Sequence, residues 1–197
     1  MRTLALALVS FSFLASNTAS ATEPTAPSDA LHDAPRSPAQ ERLLVDVELD
    51  PIAYALDGHS VHVGLTLGHW RFDLGAFGLE LPTWAHGNDG FTASFSGFGV
   101  KAQLYLDAPA SGPFVGVGLG LARTLVERDG TDLADRSRAL SAGLELGWLI
   151  PIVEGFYLKP WVGIGWAFGT EDVVLGDERF EANPLQIFPT VHLGYRF

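Results

Sequence analysis

Leu185-Gln186-Ile187-Phe188-Pro189-Thr190-Val191-His192-Leu193-Gly194-Tyr195-Arg196-Phe197 is the stretch from which the fold can be read. Every second residue back from Phe197 is apolar or aromatic: Tyr195, Leu193, Val191, Pro189, Ile187 and Leu185. The interleaved row is Arg196, Gly194, His192, Thr190, Phe188 and Gln186, a mixture of charge, glycine, hydroxyl and amide. Strict period two over such a length predicts a β-strand, because successive side chains of an extended chain point to opposite faces. A last strand of this kind, closed by an aromatic, points to a barrel in a membrane.

The same alternation recurs along the chain. Leu140, Ala142, Leu144, Leu146, Trp148 and Ile150 interleave with Ser141, Gly143, Glu145 and Gly147. Phe156, Leu158, Pro160, Val162, Ile164, Trp166 and Phe168 interleave with Tyr157, Lys159, Trp161, Gly163 and Gly165. Earlier runs begin at Leu43, Ser60, Trp70, Gly97 and Val115, which with the three already described gives eight. After Asp50-Pro51 the phase is lost, and a bulge is expected there.

Which row faces inward follows from the glycines. A solvated face gains nothing from glycine, which weakens strands. The interior of a narrow barrel does gain, since small residues leave room for large neighbours. The arrangement is therefore inside-out, with aliphatics facing lipid and a small, polar row facing the axis. The expected fold is an all-β, eight-stranded antiparallel up-and-down transmembrane β-barrel over residues 42–197.

The N-terminus carries the address. Arg2 precedes an apolar run from Leu4 to Ala15, and Ala19-Ser20-Ala21 is an A-x-A cleavage site, so residues 1–21 read as a secretory signal peptide. That run is too short for a spanning helix of roughly 20 residues. Residues 22–41, with Pro24, Pro27, Pro35 and Pro38 and Leu31 as the one large apolar residue, read as a disordered Pro/Ala-rich periplasmic linker. Of the 12 basic residues cleavage removes only Arg2, leaving 11 against 23 acidic ones, a net charge of −12. That balance argues against nucleic acid as a partner, which needs clustered Lys and Arg. Cysteine is absent, so neither disulfides nor thiol chemistry is available.

Loop lengths agree with an outer-membrane barrel, which has short periplasmic turns and longer outer loops. The outer connections are expected near Ala55–His59, Pro82–Gly90, Arg128–Ser137 and Gly169–Pro184, and the turns near Gly68-His69, Asp107–Pro113 and Pro151–Gly155. Trp70, Phe72, Trp148, Phe156, Tyr195 and Phe197 then sort to the lower interface, and Trp166 and Phe168 to the upper, as two girdles. Pro160 and Pro189 fall mid-strand, where bulges are the expected accommodation.

On these features the chain resembles the small eight-stranded outer-membrane β-barrel proteins of Gram-negative bacteria, the OmpA/OmpW-like group. The most specific element is Val191-His192-Leu193-Gly194-Tyr195-Arg196-Phe197. Its Val191, Leu193, Tyr195 and Phe197 match the signal by which the barrel-assembly machinery recognises its clients. The resemblance implies location in the cell outer membrane, a chaperoned periplasmic passage, and outer-membrane lipids and lipopolysaccharide as partners. It transfers no particular activity.

The inward row supplies a lumen polar network: Asp46, Glu48, Asp73 and Glu145 with Arg71, Lys101, Lys159 and Arg196, together with His62, His192 and Asp50. An eight-stranded barrel is just wide enough to be filled by side chains, so paired ions plugging the lumen is the expected reading. A proton or ion path, or a small ligand site, could use the same groups. Ser60 with His59 or His62 and an acid such as Asp57 or Asp89 has the residue types of a lipid hydrolase or acyltransferase. No nucleophile motif surrounds Ser60, and no catalytic residue is assigned. His59, His86 and Asp89 have the donor types of a rim metal site, yet spacing between loops is not readable; neither a metal nor a cofactor is assigned.

Two function classes follow. The first is a non-enzymatic structural, envelope or surface-interaction barrel. The second is a narrow transporter carrying a small hydrophobic ligand from the outer surface sideways into the membrane. A wide aqueous porin needs roughly 16–18 strands, more than this chain holds.

Overall fold

The computed structural model describes residues 43–197; the expected signal peptide (1–21) and linker (22–41) lie outside the described residues. In chain order the elements are β1 (Leu44–Leu49), α1 (Pro51–Ala55), β2 (His59–Leu67), β3 (Trp70–Leu81), α2 (Thr83–His86), β4 (Phe91–Tyr105) and β5 (Gly112–Arg128). They continue with β6 (Ala134–Val153), β7 (Phe156–Phe168), β8 (Val173–Leu175), β9 (Glu178–Phe180) and β10 (Leu185–Arg196). Eight of the strands close a ring in the order β1-β10-β7-β6-β5-β4-β3-β2, with every neighbouring pair antiparallel. β8 and β9 form a separate hairpin inside the last long connection. Closure leaves no unpaired edge, which is what an apolar solvent demands of a sheet.

The polarity of the ring is inverted relative to a soluble barrel. Leu74, Phe98, Leu144 and Ile187 point outward and are 60–67% exposed. Arg71, Glu48 and Asp46 point inward and are fully buried. A contiguous apolar outer surface of this extent is foreign to soluble monomers and marks a face that meets lipid. Phe156, Tyr195 and Phe197 form an aromatic group at the lower edge, with ring centroids 4.8 and 5.1 Å apart in edge-on contacts. Opposite large inward side chains the partner strand carries glycine: Gly194 faces Tyr157, Gly147 faces Trp161 and Gly116 faces Glu145. A Cβ on Gly194 would collide with the Tyr157 ring.

Several local expectations are corrected. Asp50-Pro51 is no bulge: β1 ends, and the Asp50 carboxylate accepts from the N–H groups of Ile52 (2.9 Å) and Ala53 (3.4 Å), capping α1 with Pro51 in its first turn. Pro160 and Pro189 also sit without bulges, in unbroken register opposite Val191 and Val162. The backbone of Pro160 faces β6, where pairing lapses between Gly147↔Trp161 and Ile150↔Leu158 with no residue inserted. Pro189 faces the β1 side, above the point where β1 has ended opposite Leu193. Each proline thus stands where no donor is required.

The remaining corrections concern loop bounds. β5 and β6 stay paired from Gly112↔Leu149 out to Glu127↔Ala134, so the connection expected at Arg128–Ser137 shrinks to residues 129–133. The first outer connection is instead lengthened by α1. At the other end β6 runs to Val153, the turn is Glu154-Gly155, and the register shift falls at Pro151/Val153. Gly155 takes φ +90° there, a conformation that side chains resist.

Candidate functional site

The lumen is filled at its middle by one connected set of charges. Arg71, on β3, is its centre. Its Nε and Nη2 donate to the Asp46 carboxylate on β1 (2.6–3.2 Å), and Nη1 donates to Gln103 Oε1 on β4 (3.0 Å). Glu48 at 3.1 Å and Asp73 at 3.0 Å complete a shell of three carboxylates around one guanidinium. Lys159, on β7, donates to both oxygens of Glu48 (2.7 and 2.8 Å) and to Gln103 Oε1 (3.3 Å). Gln103 donates to Glu145 on β6 (2.5 Å), whose other oxygen pairs with Lys101 at 3.2 Å. His62 Nδ1 meets Asp73 and His192 Nδ1 meets Glu48, each at 2.8 Å, and the two rings lie 4.8 Å apart.

Burial makes this closure obligatory. An isolated charge out of water is costly, and attraction offsets that cost only when remaining lone pairs are also satisfied. Tyr157 does that work from β7, donating from one hydroxyl at 2.9 Å to both Asp46 and Glu48. Below the charges Tyr105, Phe114, Leu149 and Tyr157 pack as a buried apolar floor, with Trp161 against them. Lys101 lies over the Trp161 ring, 3.8 Å from its centre.

Nine of the eleven expected network residues meet there: Asp46, Glu48, Asp73, Glu145, Arg71, Lys101, Lys159, His62 and His192. Arg196 does not. Although it stands directly opposite Asp46 across the β10–β1 pair, its side chain turns to the lower rim, donating to the Ala110 carbonyl (2.9 Å) and stacking toward the Tyr157 ring. Asp50 is engaged at α1. Gln103 and Tyr157 escaped the sequence reading, although both lie in the inward rows that identified Lys101 and Lys159.

At the loop end, the β8–β9 hairpin folds over the inner faces of β4 and β5. Phe91, Ala93 and Val126 bury against Val173, Leu175 and Phe180. Arg128 clamps the hairpin, donating to Asp177 (2.6 Å), Glu178 (2.9 Å) and the Leu175 carbonyl (3.3 Å). Asn88, after α2, bonds both the N–H and the carbonyl of Glu181. His86 packs 5.5 Å from the Phe180 ring, and its partial burial holds its pKa below 6.5, against the pull of Asp129 and Asp89. Trp84 points away from these contacts, 85% exposed.

The grouping of Ser60 with a histidine and an acid is not assembled: Ser60 is buried in the lumen wall, His59 is exposed, and no hydrogen bond joins them among the described residues. Nor do His59, His86 and Asp89 converge on a common point; among the described residues no such trio could hold a metal.

The hairpin should respond to acid. The hydrogen bond from Arg128 holds the Asp177 carboxyl below the ordinary carboxylate range, and the Ala182 N–H followed by Arg179 does so for Asp172. A depressed carboxyl contributes stability above its unfolded-state pKa and loses it as pH falls through the folded-state value. Limited proteolysis within 170–183 is therefore expected to accelerate as pH drops below about 4. Arg128→Gln should give faster cleavage already at neutral pH. Cleavage that ignores both changes would show that the apolar contacts alone hold the hairpin.

The closed eight-strand ring, its lipid-facing exterior and its ionic core define a transmembrane β-barrel of the outer-membrane kind. Two solved structures are similar to it. Neisserial surface protein A is 12% identical, with a TM-score of 0.47 over 78% of this chain and 94% of that one. A major outer membrane protein from Thermus thermophilus is 10% identical, with a TM-score of 0.45 over 79% of this chain and 100% of that one. No protein-family model matches the chain, and no curated protein matches it.

Proposed function

We propose that this chain is a non-enzymatic outer-membrane barrel that serves the envelope as a structural or surface-interaction element, and that its lumen carries no aqueous traffic. The observation behind this reading is the ionic plug: Arg71, Lys159 and Gln103 tie β1, β3, β4, β6 and β7 together across the axis. An ion crossing the lumen would have to displace fully buried charge pairs. In planar bilayers the inserted barrel is expected to give no stepwise conductance, and discrete conductance steps would overturn the reading. The outward row Val191, Leu193, Tyr195 and Phe197 serves in this reading as the assembly signal and lower girdle together, with the barrel-assembly machinery as its partner.

A second reading, narrow transport of a small hydrophobic ligand, draws on aromatic side chains that face the lumen, among them the pairs Phe77–Phe95 and Trp161–Phe188, each 6.0 Å between centroids. Uptake of a small apolar dye into barrel-containing vesicles beyond that of empty ones would favour it. Rates equal to those of empty vesicles would leave the structural reading alone.

A further inference from the structure

The outer face of the β5–β6 extension changes character within one step. Phe98, Leu121, Leu140 and Phe168 are cross-strand partners in one outward row, an unbroken apolar line over four strands, each 52–67% exposed. Two residues further out, roughly 6.8 Å along the strands, the row reads Ser96, Arg123 and Arg138. Arg136, opposite Leu125, adds a third guanidinium on the same face.

These three arginines stand apart from the other basic residues. Residues 43–197 contain nine Lys and Arg. Arg71, Lys101, Lys159, Arg128 and Arg179 are in ion pairs, and Arg196 is bonded to a carbonyl. Arg123, Arg136 and Arg138 are exposed and form no ion pair among the described residues. Glu127, the acid on this face of β5, lies beyond Leu125 and makes none with them. Arg123 and Arg138 are moreover directly opposite each other, a like-charge pairing that weakens a sheet. In a chain of net charge −11, three unpaired cations gathered against repulsion call for an external anion.

We infer that Arg123, Arg136 and Arg138 form a binding site for the phosphate groups of the outer-leaflet glycolipid. The inference rests on the membrane-barrel reading above. Its occupant follows from position: the apolar row must meet acyl chains, so groups one step above it meet the headgroups attached to those chains. Planar guanidinium groups grip phosphate oxygens bidentately, and a phosphate bridging Arg123 and Arg138 would convert their repulsion into shared attraction. Ser94 and Ser96, on the adjoining outward face of β4, offer hydroxyls to sugar or phosphate oxygens.

The test uses the full barrel reconstituted in bilayer discs with a trace of bis-phosphorylated lipid A or of its dephosphorylated form. Retained glycolipid is read by native mass spectrometry. The parent should retain the phosphorylated form and lose the dephosphorylated one, and millimolar inorganic phosphate should not displace it. At about fivefold per arginine near an anionic surface, R123Q/R136Q/R138Q should weaken retention on the order of a hundredfold. Replacing Arg179, an ion-paired loop arginine, with Gln should change nothing. Equal retention of both lipids by the parent would overturn the inference without reference to any variant. So would undiminished retention by a triple variant that still shows the folded barrel's heat-modifiable gel shift. Displacement by free phosphate would mean an anion site that is not a lipid site. A barrel that inserts but shows no phosphate preference refutes this inference alone, whereas failure to insert refutes the membrane reading beneath it.

Discussion

Replacing Arg71 with Met is expected to destabilise the folded barrel more than any other single change in the lumen. The substitution approximates the volume of the stem and removes the cation around which Asp46, Glu48 and Asp73 are arranged. Removing one partner of a buried pair costs about 3–5 kcal/mol, because the remaining charge stays desolvated without compensation. Here three carboxylates are left facing one another, with Lys159 close to Glu48 alone among them. Urea unfolding from lipid vesicles, followed by tryptophan fluorescence, should show a lowered midpoint. Adding Asp46→Asn to Arg71→Met should recover part of the loss, since the two sites share one interaction and their effects cannot be additive. An unchanged midpoint for Arg71→Met would mean that water enters the lumen and solvates the acids, and the plug would lose its standing as a barrier.

The second large effect lies on the opposite face. Leu144 projects outward, 61% exposed, midway along β6 between Leu140 and Trp148 of the same outward row. On a soluble protein, Arg at such a position would change stability by no more than roughly 0.5 kcal/mol. On a lipid-facing barrel strand near the bilayer centre, it costs about 2–4 kcal/mol. Leu144→Arg should therefore unfold at markedly lower urea in vesicles, while Leu144→Ala should move the midpoint less. A null result for Leu144→Arg in a bilayer would contradict the assignment of the aliphatic row to lipid.

The strand pattern was legible because alternation is a local property. Phe197 through Leu185 and Leu140 through Ile150 declare their two faces without any partner, and the glycine content of one row was enough to say which face is crowded. The inward charges were legible for the same reason, so nine of eleven expected lumen residues meet. What failed were statements that depend on what a neighbouring strand supplies. Arg196 has the correct parity and stands opposite Asp46, but its side chain is engaged by the Ala110 carbonyl, while Arg71 and Tyr157 occupy the Asp46 carboxylate. Pro160 and Pro189 looked like faults needing bulges because the sequence does not show that pairing lapses beside one and that β1 has ended beside the other. Asp50 was read as a strand residue, although Asp followed by Pro is also the signature of a helix start.

The sequence by itself determined the strand count, the lipid-facing row and the identity of the charges in the lumen, since each depends only on residue type and period. Only the tertiary structure decided which charges pair, that Gln103 and Tyr157 complete the plug, and that Arg123 meets Arg138 on the outer wall. Those outcomes depend on register: a one-residue slip between strands turns every side chain to the other face, and register is set by turns and closure around the whole ring. Hydrogen bonding in the lumen joins residues up to 144 positions apart, as His192 and Glu48 are, and no local pattern carries that information.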